Sequence, residues 1–158
     1  MYQCEAADVL IAVYPATQRR GWWTYVTLEL HQMGATECVL YSYKFDRGII
    51  THLSQIAHQV MNQWKKERIR LQTGSVFLLE GTIQEASSLG SVLVTPVYHE
   101  EAGFEYYTNG EDVIRMMMLH AIAESEAAFV ARYGLDALEE LFARSGVDSL
   151  NVMRTPAI

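Results

Sequence analysis

The sequence predicts one α/β (α+β) domain over residues 1–158, a sandwich whose mixed or mostly antiparallel sheet is flanked by helices. Three observations carry that expectation. Short β-type runs are punctuated by glycine and proline; one long stretch repeats apolar residues at helical spacing; and the chain closes on two short helical segments split by Gly134. With 158 residues, half of them hydrophobic and 20% charged, the chain can bury a core without metal or disulfide staples and is too apolar for disorder.

Taken in order, Val9 to Tyr14 reads as a first strand, ended by Pro15. Trp22 to Gln32 alternates, with Thr24, Val26, Leu28 and Leu30 on one side and Tyr25, Thr27, Glu29 and His31 on the other. That pattern predicts a half-buried strand with its Val/Leu side inward. Met33-Gly34 turns the chain and Glu37 to Tyr43 returns as the second strand of a hairpin. Asp46 then precedes Gly48 and a stripe of Ile49, Leu53, Ile56, Ala57, Val60, Met61 and Trp64, one face of an amphipathic helix. Lys65 and Lys66 stand near its C-terminal end, where cations suit the helix dipole. Gly74 ends that segment.

Val76–Leu79 and Val92–Tyr98 predict two further strands, separated by a turn-rich stretch with Gly81, Ser87, Ser88 and Gly90. Gly103–Gly110 predicts a short strand closed by an Asn109-Gly110 turn. Val113–Ile122 fits strand or helix, since the run Met116-Met117-Met118 permits helix by propensity. Helices over Glu124–Tyr133 and Leu135–Ala143 complete the chain. The inward phases nominate a core of Val26, Leu28, Leu30, Val39, Ile56, Val60, Trp64, Leu78, Val94, Leu138 and Leu141.

Charge is uneven. Residues 1–70 hold eight Lys/Arg against six Asp/Glu, a balance of +2; residues 71–158 hold four against thirteen, a balance of −9. An acidic C-terminal half argues against nucleic acid, which needs a basic surface, and suits a basic protein partner. The apolar runs are too short to cross a bilayer, and the N-terminus shows no secretory leader, so the expectation is a cytoplasmic protein. Cys4 and Cys38 are expected as reduced thiols.

No residue pattern supports catalysis or a cofactor. His31, His52, His58, His99 and His120 are scattered, and the six-residue spacing of His52 and His58 puts them on different helical faces. His99-Glu100-Glu101 resembles half of a zinc-protease motif, but Phe104 stands where its second histidine would be, so a solvated loop explains it. Cys38 lies mid-strand with no local base. Ser87-Ser88-Leu89-Gly90-Ser91 lacks the spacing of a nucleophile elbow. The pairs Glu124/Glu126 and Glu139/Glu140 read as a helix start and a solvated face.

Two blocks carry a family resemblance. Met118 to Phe142 runs an apolar segment into a carboxylate-opened helix, a glycine and a leucine-rich last helix. That order resembles the close of the suppressor of fused domain, which reads as a hydrophobic strand, a "pit-x-x-E" turn, a helix, then Gly and a final helix. Val13-Tyr14-Pro15-Ala16-Thr17 followed by Gly21-Trp22-Trp23-Thr24-Tyr25-Val26-Thr27 is similar to the family's other anchor, a "P-x-T" turn, a tryptophan and a "T-x-V-T" strand. The chain departs from the pattern at Leu28-Glu29-Leu30, where a glycine-containing turn is usual, and at Ala121 or Ala123, where a proline is usual. The resemblance spans roughly residues 9–143 and makes Val113–Ile122 a strand.

The resemblance further implies a non-enzymatic binder. Animal members hold a transcription factor inactive, and stand-alone bacterial members are read as immunity proteins against polymorphic toxins. The expectation is therefore an immunity protein that neutralises a basic toxin domain by direct binding, without cofactor, metal, nucleic acid or membrane. The alternative is a regulatory or scaffold module bound to an endogenous protein or peptide. The sequence sets no oligomeric state. The candidate partner-binding residues are Glu100, Glu101, Glu105, Tyr106, Tyr107, Glu111 and Asp112, a crowd of acids around an adjacent tyrosine pair and a turn. In a strand, one member of Trp22-Trp23 and of Tyr106-Tyr107 must face away from the other, and the Arg19–Thr24 turn is the next surface to consider.

Overall fold

A single mixed sheet organises the molecule. The computed structural model describes residues 2–6, 9–101 and 103–158, the side chains of 2–6 and of 109 excepted. The strands are β1 (Tyr2–Ala6), β2 (Val9–Tyr14), β3 (Trp23–Leu28), β4 (Glu37–Ser42), β5 (Val76–Leu78), β6 (Ser91–Thr95), β7 (Tyr106–Asn109) and β8 (Asp112–Ile122). The helices are α1 (Arg47–Glu67), α2 (Glu124–Tyr133) and α3 (Leu135–Ser145). Strand order is β1-β2-β3-β4-β8-β6-β5, with β7 paired to β8 off this path. Pairing is antiparallel except where β8 lies parallel to β4, from Glu37 opposite Met116 to Val39 opposite Met118.

Alternation along the central strands sorts the core onto two faces. Val9, Ile11 and Val13 of β2, Tyr25 of β3, Cys38 and Leu40 of β4, Val92 and Val94 of β6, and Met117 and Leu119 of β8 pack with Ile49, Leu53, Ile56, Ala57 and Val60 of α1. The opposite face holds Val26, Val39, Tyr41 and Met118 in one cluster, and Leu93 and Ile122 with Val130, Leu138 and Phe142 of α2 and α3 in another. The sheet is thus covered on both sides, the expected α/β sandwich with helices flanking a mixed sheet.

That two-sided burial corrects the phase expected for β3. Tyr25 and Thr27, placed on the solvent side, are fully buried, and Leu28 is half-buried. A strand covered on both faces has no solvent side for alternation to report. The strand also ends earlier than expected: Glu29 adopts φ 75°, and Leu30–Met33 forms a short 3₁₀ turn that carries Leu30 into the core. Gly34 closes the turn at φ 81°, with the Trp64 ring 3.0 Å from where a Cβ would sit. Trp64, half-buried, donates from Nε1 to the Met33 carbonyl at 2.6 Å, which fixes the end of α1 to this turn. The start of α1 is fixed by Asp46, whose Oδ1 accepts from Gly48 N at 2.6 Å.

Leu78 is the other misplaced core residue. It is 74% exposed, whereas its neighbour Phe77, opposite Val92, is buried. β5 is a three-residue edge strand: Phe77 packs into the α1-side core, and on the other side only Val76 reaches the α2–α3 cluster, leaving Leu78 beyond it. Leu141 is half-buried beside fully buried Leu138. Val113–Ile122 is strand, as the family pattern implies: from Met117 onward every residue is buried between β4 and β6. Leu138→Ala should cost about 2–5 kcal/mol in chemical denaturation, against a change within about 0.5 kcal/mol for Leu78→Ala; similar losses for both would refute this division of the core.

Candidate partner-binding surface

The first residues of β8 leave the main sheet and pair with β7 alone, Tyr106 opposite Arg115 and Asn109 opposite Asp112. A turn joins them with Gly110 at φ 67°, the position a type II′ hairpin gives to glycine. Main-sheet pairing of β8 starts only at Met116, so the hairpin forms an arm beyond the sheet. Adjacent residues point to opposite faces, yet Tyr106 and Tyr107 are 58% and 62% exposed, and Val113 beside them is exposed too. At the arm's root Leu28, Phe104, Ile114 and Met116 line a mostly apolar groove of about 270 Å³, with His31 and Glu37 at its end. Glu37 is buried there, accepting from Thr27 Oγ1 at 2.6 Å and His31 N at 3.1 Å.

The structure brings most of the candidate residues together here. Glu111 and Asp112 are exposed at the turn, Glu105 is half-buried before β7, and Glu101 is exposed at the root. No ion pair engages these four among the described residues. Glu100 is different. Its side chain is only 10% exposed, and its carboxylate accepts from Arg20 Nη2 at 2.7 Å and from the Tyr41 hydroxyl at 2.9 Å. Burial, then the Glu100 charge and hydrogen bond, push the Tyr41 hydroxyl well above the usual range, with Arg20 opposing. Glu100 is therefore held inward against Arg20 and Tyr41.

Arg20 also ties the second sequence-nominated surface to this region. Arg19, Arg20, Trp22, His99 and Glu101 line a cavity of about 630 Å³. Trp22 lies edge-on to Tyr41 with ring centres 6.4 Å apart, and Arg20 stands 5.8 Å from the Trp22 ring centre. Trp22 and Trp23 belong to clusters on opposite sheet faces, as adjacent strand residues should. His99 Nε2 lies 2.8 Å from Ser149 Oγ, and burial lowers the His99 pKa despite the nearby charges of Asp148 and Glu100.

Two features escaped the sequence reading. Glu126 is fully buried and faces Arg154, whose Nη1 and Nη2 donate to its two oxygens at 2.7 and 2.8 Å. Burial pushes the Glu126 carboxyl up, but the bonds from Arg154, Ala157 N and Ala123 N and the Arg154 charge hold it below the ordinary range. Beside this pair His120 is buried with no partner for Nε2. The helix-start glutamate gave a signal in the "x-x-E" pattern; Arg154 gave none. The described residues hold no group of three His, Cys, Asp or Glu placed to take a metal. Cys38 is a free thiol in the core, its pKa pushed up by burial and then by Glu37, and Ser87 Oγ donates to the Val152 carbonyl at 2.6 Å. No helix among the described residues is long and apolar enough to cross a membrane.

Fold and surface together define an α/β sandwich that offers an aromatic, acid-flanked arm. The chain belongs to the suppressor of fused family: the family's model, Suppressor of fused protein (SUFU), matches residues 5–155. Among solved structures it is similar to a SUFU homolog from Neisseria gonorrhoeae at 22% identity and TM-score 0.81, covering 96% of this chain and 79% of that one. It is also similar to Drosophila Suppressor of Fused at 12% identity and TM-score 0.62, covering 94% of this chain and 42% of the Drosophila chain. A chain of the Sufu–Fu complex crystal structure matches at 13% identity and TM-score 0.59, covering 94% of this chain and 76% of that one. Among curated proteins, none matches significantly. The family is one of protein-binding regulators.

His120 yields a pH prediction. Burial, with the Arg154 charge adding and Glu126 opposing, lowers its pKa from 6.5 to about 4. Above 6.5 the imidazole is neutral in both folded and unfolded chains; below it the unfolded chain takes up a proton that the folded one refuses. Stability should therefore fall as pH drops from 6.5 to 4, by a term of up to roughly 3 kcal/mol. Glu126, held low, contributes fully above its unfolded pKa of 4.5 and loses that contribution as pH falls below it. It thus overlaps only the bottom of this window and is common to parent and variant. Urea titrations across the window should show a shallower decline for His120→Phe than for the parent; parallel declines would refute the assignment.

Proposed function

We propose that this chain is an immunity protein, a non-enzymatic module acting in the cytoplasm that neutralises a basic bacterial toxin domain by direct contact. The observation that carries the reading is the β7–β8 arm: two tyrosines more than half exposed, with Glu101, Glu105, Glu111 and Asp112 around them outside any ion pair among the described residues. Exposed tyrosines are the residue type that anchors interfaces, and unpaired acids raise the encounter rate with a basic partner. An acidic protein seated on a basic toxin, such as a nuclease, would compete with the toxin's anionic substrate. Family membership supports the binding class, and the Sufu–Fu complex supports a second reading, a regulatory module for an endogenous partner.

Co-expression separates the two. If the gene next upstream encodes a large secreted protein, its small C-terminal domain should be toxic alone, rescued by this chain and co-purified with it. Reversing Glu101, Glu105 and Glu111 to Lys should slow association by at least about tenfold at low salt and flatten its salt dependence, with the melting temperature nearly unchanged. An unaltered on-rate and salt slope would place the partner on another face, and toxicity without rescue would sink the immunity reading.

A further inference from the structure

The end of the sheet that carries the acidic arm also carries a basic patch. β8 runs parallel to β4 with Met116 opposite Glu37, so its first residues project past the start of β4. α1 ends at the same place, because Trp64 Nε1 donates to the Met33 carbonyl in the turn that leads into β4. His31, in that same turn, lines the groove at the arm's root. One four-residue 3₁₀ turn, Leu30–Met33, thus separates the arm from the end of α1.

Lys65, Lys66, Arg68 and Arg70 are all exposed there against Glu67 alone, a balance of +3. Arg68 and Arg70 stand 5.4 and 5.5 Å from the centre of the Trp64 ring, which holds two of the cations in place. Arg68 also takes φ 56°, a left-handed helix cap that glycine adopts with less strain, so a cation stands where glycine is favoured. Across the turn, Glu101, Glu105, Glu111 and Asp112 stand against Arg115, a balance of −3. Neither set enters an ion pair among the described residues. The two sets are neighbours that do not meet within one chain.

We propose that this end of the molecule is a two-fold interface with a second copy of the chain, each arm lying against the other copy's Lys65–Arg70 patch. A two-fold contact must be self-complementary, and a +3 region beside a −3 region meets that condition when one copy is turned by half a rotation. Exposed Tyr106, Tyr107, Ile69 and Met33 supply apolar area beside the charges. A nucleic acid or an anionic membrane fits the patch less well, since the acidic arm would face it too. The net charge of −7 opposes association only at long range. The Debye length is about 8 Å at physiological salt, so repulsion between whole molecules is largely screened while charges in contact are not. The second copy's cations cover acids that would meet a basic toxin, so a toxin would displace it. The dimer itself rests on no toxin, and its failure would leave the partner-binding reading untouched.

Sedimentation of the full chain across micromolar concentrations at physiological salt tests the proposal. The parent should pass from monomer to dimer and no further. A patch variant, Lys65→Glu with Lys66→Glu and Arg70→Glu, and an arm variant, Glu101→Lys with Glu111→Lys and Asp112→Lys, should each raise the dimer dissociation constant at least about tenfold. Mixed in equal amounts, the two variants should dimerise again, because each reversed surface then meets its complement. All six positions are exposed, so melting curves at low concentration should match the parent's. Arg68→Gly should weaken the dimer while the melting temperature holds or rises, since glycine suits the left-handed cap. A parent that stays monomeric, a dimer indifferent to both reversals, a mixture that stays monomeric, or growth into longer assemblies would each overturn the proposal.

Discussion

One buried ion pair ties together the end of β8, the start of α2 and the C-terminal segment. Glu126 sits in the first turn of α2 and reaches back to accept from Ala123 N at 2.8 Å, which defines where the helix starts. Arg154, 28 residues later, meets it with both terminal nitrogens and also donates from Nη2 to the Ala121 carbonyl at 3.1 Å. Ala157 N adds a further bond to the same carboxylate at 2.8 Å. One side chain thus fixes the end of β8, the start of α2 and the path of the C-terminal segment. Two charges this deep gain little net stability over an apolar pair, but losing either alone strands the other and typically costs about 3–5 kcal/mol. The pair specifies an arrangement more than it strengthens one.

That arrangement builds what surrounds it. The Arg154 guanidinium stands 4.9 Å from the centre of the Phe142 ring, and Phe142 in turn packs against His120. Leu150 and Val152, in the segment that Arg154 anchors, enter the clusters on the two opposite faces of the sheet. The tail therefore crosses the layers of the sandwich, and its charge pair keeps it in register with them. The lowered His120 pKa belongs to the same packing, since burial and the guanidinium both oppose a second positive charge.

Legibility in the sequence followed the range of the interactions. α1 was readable because its stripe repeats at the helical period over about four turns, from Ile49 to Trp64, and Asp46 caps it locally. The strands were found, but their facing was not: Tyr25 and Leu78 were assigned by alternation, which assumes one wet face, while β3 has none and Leu78 lies past the end of the cover that Val76 meets on the same side of β5. Val113–Ile122 was undecidable from propensity because three methionines in a row carry no period; its partners β4 and β6 lie far away in sequence. The same holds at the surface. Glu100 and Glu101 are adjacent and chemically identical, yet only a partner 80 residues away, Arg20, distinguishes the neutralised one from the free one.

The arm takes its potential from β8 being one continuous strand with two environments. From Met117 onward it is buried on both faces between β4 and β6; from Asp112 to Arg115 it carries only β7. A two-stranded hairpin alone in water is marginal, but here one of its strands is already fixed in direction, twist and register by the core. Tyr106 and Tyr107 consequently stand on backbone already fixed by the core, and an interface built on them would spend less of its free energy on ordering loops. Tyrosine adds to that economy because it has few rotatable bonds for its area. The acids are spared the same burial: Glu111 and Asp112 are exposed at the tip. Core burial at one end of β8 thus fixes the backbone that carries the exposed side chains at the other end.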